Sequence, residues 1–204
     1  MKKYTITSMS KIFSLSPFTD VLVYRIKAVV DIPGRAKAGE LGGWIEKEEN
    51  LSHEGRSWVY DDAVVCHNAV VQDDAIISDR AVISNKAVIA GNASVFGYAM
   101  VSCNAVVRDH ARVSGSAAIL GNGIVCDSAE VYGNAIVSDD ALIGENAQLH
   151  DSASIRGTAH VCGFADVGGR VIIVGDPIIS SGHIEPIIIS TVREWEAYLK
   201  MWDN

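Results

Sequence analysis

The sequence has few cysteines, no excess of basic residues and no long apolar run, and each shortage closes off a class of protein. Four cysteines in 204 residues suggest neither a secreted disulfide scaffold nor a cysteine-rich zinc site. Lys and Arg number 17 against 25 Asp and Glu, a formal charge of −8. No basic stripe offsets that balance, which argues against nucleic acid as a partner. No stretch reaches the ~20 apolar residues of a spanning helix, and Met1-Lys2-Lys3-Tyr4-Thr5 is not followed by a sustained apolar signal segment. The chain therefore reads as cytoplasmic, with no membrane partner. A phosphate-binding loop, a dinucleotide-binding fingerprint and a hydrolase nucleophile elbow are also missing.

What is present is a small residue at every sixth position, from Ala63, Ala69 and Ala75 to Ala153, Ala159 and Ala165, with Gly123 replacing alanine once. Two residues after each stands an aliphatic side chain, from Val65, Val71 and Ile77 to Ile155, Val161 and Val167. Helices require spacings of three and four, and a sandwich strand would continue its alternation, so a period of six fits neither. It fits a four-residue β segment followed by a two-residue corner, with alanine and the aliphatic pointing inward. Corner pairs such as His67-Asn68, Gly91-Asn92, Cys103-Asn104, Gly121-Asn122 and Glu145-Asn146 supply residues that tolerate left-handed or tight backbone conformations.

The repeat resembles that of the bacterial hexapeptide-repeat transferases. Within them, Gly39-Glu40-Leu41-Gly42-Gly43-Trp44-Ile45, Asn50-Leu51-Ser52-His53-Glu54-Gly55 and Trp58-Val59-Tyr60-Asp61 are most similar to the uncharacterised YdcK-type family, to which acetyl transfer is ascribed. The resemblance implies an all-β, left-handed parallel β-helix in which three hexapeptides make one triangular turn, giving about six regular turns from 61 to 168. We expect an N-terminal β/irregular cap over 1–60, the parallel β-helix over 61–174 and a C-terminal extension over 175–204. Trp44 and Ile45 would cover the open end of the coil. Thr191 and Glu194 have capping-box spacing, and Val192, Trp195, Leu199 and Trp202 form one apolar stripe, which predicts an α-helix over about 192–202.

Positions eighteen apart should stack into columns. The outward columns Val64, Val82, Met100, Ala118, Ile136, Ser154, Ile172 and Val70, Val88, Val106, Ile124, Leu142, His160 are largely apolar. The third, Ile76, Ser94, Arg112, Glu130, Gln148, Asp166, is polar. Two ordered apolar faces are ones a soluble protein buries, here under terminal segments or identical subunits. The resemblance implies a homotrimer. Cys66, Cys126 and Cys162 fall at outward positions and Cys103 at a corner. Cys126 and Cys162 share a column, but with Gly144 between them they lie two turns, ~10 Å, apart, too far for a disulfide.

By its resemblance the chain would transfer an acyl group from acetyl-CoA or another acyl-CoA to a hydroxyl or amine of a small-molecule substrate, with a histidine near a cleft between subunits. The candidate catalytic residues are His110, His150 and His160. A near-neutral imidazole can take the proton from an attacking amine or hydroxyl. Arg112, Glu130 and Tyr132 are the candidate substrate-binding residues, since columns place Arg112 beside Glu130 and Tyr132 beside His150. Arg112 would hold a carboxylate or phosphate, or pair with Glu130 as a surface ion pair. His110 also fits a hydrated corner, His150 a surface pair with Tyr132, and His160 an interface contact. No insertion interrupts the repeat from Asp61 to Gly168, so the loop that carries the catalytic histidine in the family is missing. That favours the alternative of a non-enzymatic β-helical scaffold or binding protein. The related γ-class carbonic anhydrases hold zinc with three histidines. Here His67, His110, His150 and His160 fall in four different columns, so no metal is predicted.

Overall fold

A computed structural model describes residues 2–16, 19–184 and 188–189. The backbone winds as a three-sided β-solenoid whose short strands stack in parallel. On the first face Val64 pairs with Val82, which pairs with Met100, then Ala118, Ile136, Ser154 and Ile172. Val70, Val88, Val106, Ile124, Leu142, His160 and Ile178 form the second face. The third runs Trp58, Ile76, Ser94, Arg112, Glu130, Gln148, Asp166 and His183. The eighteen-residue register follows from the sequence period, because each column of inward side chains must meet its own kind to exclude water. Ala63 to Ala159 and Val65 to Val161 are fully buried along the whole run.

Corners repeat one backbone device. The first corner residue has a positive φ, as at Asp73 (57°), Asn85 (60°), Gly91 (65°), Cys103 (64°) and Asp127 (56°). A side chain in this conformation costs ~1–2 kcal/mol, and aspartate returns a hydrogen bond to the turn above. The Asp73 carboxylate accepts from the Gly91 N–H (2.9 Å), Asp79 from Gly97 (2.9 Å), Asp127 from Glu145 (2.9 Å) and Asp151 from Gly169 (3.0 Å). The carboxylates thus form ladders along the corners.

An N-terminal cap is present, and much of it is regular. Strand β1 (Tyr4–Ser16) pairs antiparallel with β2 (Thr19–Ala28), and β2 pairs antiparallel with β3 (Leu41–Ile45). Strand β3 then lies parallel to Val64–Val65, with Trp44 opposite Val64, so the hairpin extends the first sheet. Alternation along β3 sends Ile45 into the core, fully buried, and Trp44 outward, where Lys11 and Arg25 lie over its ring at 4.2 and 5.0 Å. Trp44 therefore does not plug the open end. Tyr4, Ile26, Leu51 and Trp58 do, all buried. Gly42 and Gly43 allow this approach: a Cβ on either would lie 2.6 Å from Ile26 Cγ1 or 2.5 Å from Val59 Cγ1.

Lys3 is buried beneath the first coil, and its Nζ donates to Ser57 Oγ (3.0 Å) and to the carbonyls of Glu54 (3.3 Å) and Gly55 (3.4 Å). Burial pulls its pKa down to about 8 against the opposing pull of Asp74 and Glu54.

At the other end Ile173, Ile179 and Ile184 keep the core filled, while the spacing tightens: Asp166 pairs with His183 and Ile172 with Ile188. The helix expected over 192–202 lies outside the described residues. Among the described residues no helix is long and apolar enough to cross a membrane.

Candidate functional site

The third face is the polar one, one outward column carrying Arg112, Glu130 and Asp166 beside a second column that holds Phe96, Tyr132 and His150. Arg112 and Glu130 are adjacent by register and form an exposed ion pair with Nε to Oε1 at 3.8 Å. The Arg112 guanidinium lies over the Phe96 ring at 5.3 Å, a geometry that contributes ~0.5–1 kcal/mol at an exposed site. Phe96, Arg112, Ser114, Glu130 and Tyr132 line a surface depression of about 380 Å³. One turn further on, Tyr132 and His150 stack with centroids 5.3 Å apart and planes 13° from parallel.

His150 is the most firmly held of the three candidate histidines. Its Nε2 lies 2.8 Å from Asp166 Oδ1 and its Nδ1 3.1 Å from Asp151 Oδ2. Behind it Gly168 leaves the necessary room, since a Cβ there would sit 2.1 Å from His150 Cε1. Asp166 also meets His183 Nδ1 at 2.8 Å. Desolvation pushes the Asp166 pKa up, but hydrogen bonds with His183 and His150 outweigh it and hold the carboxyl below its usual range. Both ring nitrogens of His150 therefore face carboxylate oxygens. This arrangement leaves neither nitrogen facing an incoming substrate.

The other two stand apart. His110 is exposed at the corner between the second and third faces, two residues before Arg112, and its backbone N–H donates to the Asp127 carbonyl at 2.7 Å. His160 is half-buried on the apolar second face between Leu142 and Ile178. The six candidate residues therefore split. Arg112, Glu130, Tyr132 and His150 share one strip, His110 borders it, and His160 lies on another face. Sequence columns place Phe96, Asp166 and Gly168 on this face but give them no role, and they miss His183. Asp166 and Gly168 carried a signal in their columns, whereas His183 sits seventeen residues from Asp166, outside the eighteen-residue period.

Asp109, Cys126 and Asp127 bring three ligand-type atoms within 4.8 Å of one another. Existing bonds occupy them: Asp109 pairs with Arg108, and Asp127 accepts from the Glu145 N–H and lies 3.4 Å from Cys126 Sγ. Burial pushes the Cys126 thiol up to about 11, and its bond to Asp127 adds to the rise. A thiol held protonated is a poor metal ligand. Compared with known proteins, the chain matches no family model and no curated protein.

Proposed function

We propose that the protein is a left-handed β-helical acyltransferase, working as a homotrimer, that moves an acyl group from a coenzyme A thioester to a hydroxyl or amine of a small molecule. The observation that carries this reading is the position of His110, an exposed imidazole on the corner where an apolar face meets the polar one. Burial of the second face against another copy would turn that corner into the wall of a cleft. His110 then serves as general base for the acceptor, with Arg112 beside it for a phosphate or carboxylate. His150, held by two carboxylates, positions Tyr132 and does not accept the proton. No metal enters this scheme.

A non-enzymatic scaffold is the second reading, favoured by the coil running from Val64 to Ile178 with no inserted loop. Calorimetry and turnover assays separate the two. Acetyl-CoA should bind at micromolar concentration, and His110→Ala should lower kcat ~10²-fold or more while changing affinity by less than about threefold. No binding at millimolar acetyl-CoA would leave the scaffold.

A further inference from the structure

The second outward column of the third face reads Ser78, Phe96, Ser114, Tyr132, His150, Gly168, with successive rungs ~4.8 Å apart along the sheet. Where two neighbouring rungs both carry rings, at Tyr132 and His150, the rings stack nearly parallel. Phe96 and Tyr132 are two rungs apart, and the rung between them holds only the small side chain of Ser114. The column is therefore a ring stack with one member missing, and the vacancy coincides with the depression of about 380 Å³. Both sides of the gap are fixed. Tyr132 is backed by His150, which Asp151 and Asp166 hold at 3.1 and 2.8 Å, and the guanidinium of Arg112, which stands on the same rung as Ser114, covers Phe96 on the side of the gap.

We infer that the Ser114 rung is a stacking slot for a purine nucleotide, whose base takes the place of the Arg112 guanidinium over Phe96 and completes the series Phe96, base, Tyr132, His150. A planar ring fits because ring faces bound the slot above and below, about two strand spacings apart. The lining supplies the in-plane chemistry. Glu130 accepts from an exocyclic amine, Ser114 Oγ donates or accepts, and the exposed Arg112 binds the phosphate, for which its 3.8 Å contact with Glu130 is a weak competitor. The nucleotide can be free or the nucleotide end of coenzyme A, and only that second source rests on the acyl-transfer reading.

The test is calorimetry on the full chain with adenosine, AMP and coenzyme A. AMP should bind once per chain, and adenosine about tenfold more weakly for want of the phosphate contact. Arg112→Ala should bring AMP down to the level of adenosine. Tyr132→Ala should weaken AMP by about tenfold or more. Ser114→Phe fills the gap with a residue type the column already carries, so it should keep the thermal midpoint and abolish AMP binding. Ser78→Phe, outside the gap, should leave binding unchanged.

Failure of AMP to bind at millimolar concentration, or its undiminished binding to folded Ser114→Phe, overturns the slot. Coenzyme A binding that Ser114→Phe does not affect, when that substitution abolishes AMP binding, assigns the slot to a free nucleotide and spares the acyl-transfer reading. AMP binding through the slot without coenzyme A binding keeps the slot and removes that reading.

Discussion

At the scale of single residues, the corner aspartates join backbone geometry to acid stability. The bond from the Glu145 N–H, with help from Cys126, holds the Asp127 carboxyl below its usual pKa, and the Gly169 N–H does most of the same for Asp151. A carboxylate lowered in the folded state adds stability that is fully present above its unfolded pKa of ~3.9 and is lost as pH falls through the folded value. The thermal midpoint should therefore drop steeply below about pH 4. Asp127→Asn and Asp151→Asn retain an oxygen acceptor and tolerance of positive φ, so together they should flatten that slope with little change at pH 7. An unchanged acid slope in the double variant would refute the ladder. Gly168→Ala should cost ~1–3 kcal/mol by driving His150 from its seat. In denaturant titrations, adding Gly168→Ala to His150→Ala should cost almost nothing, since the clash is then gone. The alanine and aliphatic columns were legible because burial imposes one chemistry at each inward position. The role of Gly168 was not, since a missing Cβ reveals nothing until the imbalance of space beside it is seen.

Among elements, the β1–β2 hairpin is what sequence periodicity described least. The sequence marked a β/irregular cap over 1–60, but neither the pairing of its strands nor their docking surface follows from local pattern. Val21 and Val23 pack on Val64 and Cys66, with Phe13 and Trp44 against them. Cys66 is therefore inaccessible despite its outward register, and burial pushes its thiol up to about 12. Cys126 and Cys162 are buried too, and Cys103 is exposed. A thiol reagent at pH 8 should modify one cysteine quickly and three slowly, the fast one vanishing in Cys103→Ser. Val23→Asp buries a charge at the hairpin contact and should release Cys66 to the reagent at least ~10-fold faster, while circular dichroism retains the β signal. Equal reactivity of Cys66 in both chains would count against this docking.

On the scale of the whole molecule, the hairpin covers only the beginning of the first face. Met100 and Ile172 remain exposed there, and Ile178 at the end of the second. Apolar area of that extent favours a contact that cyclic symmetry closes. Light scattering at micromolar protein should return three times the chain mass of 21.8 kDa, and Leu142→Glu on the second face should yield monomers. A wild-type chain that stays monomeric at high concentration would require another cover for these faces. The solenoid was legible from the first residues of the repeat because each turn restates the same burial problem. The polar strip was only half legible. Its charged members stood out by type, whereas the stacking of Tyr132 on His150 depends on distances along the axis.

The constant offset between turns has a consequence for how such a chain changes length. Each storey meets only the storeys beside it, and the left-handed corners are interchangeable. Removing or duplicating one eighteen-residue unit between Val82 and Leu142 therefore shortens or lengthens the rod while every remaining column still meets its own kind. Growth by whole storeys preserves the fold, but a cut of six residues would rotate all later faces by one side, dividing the ring stack between two walls.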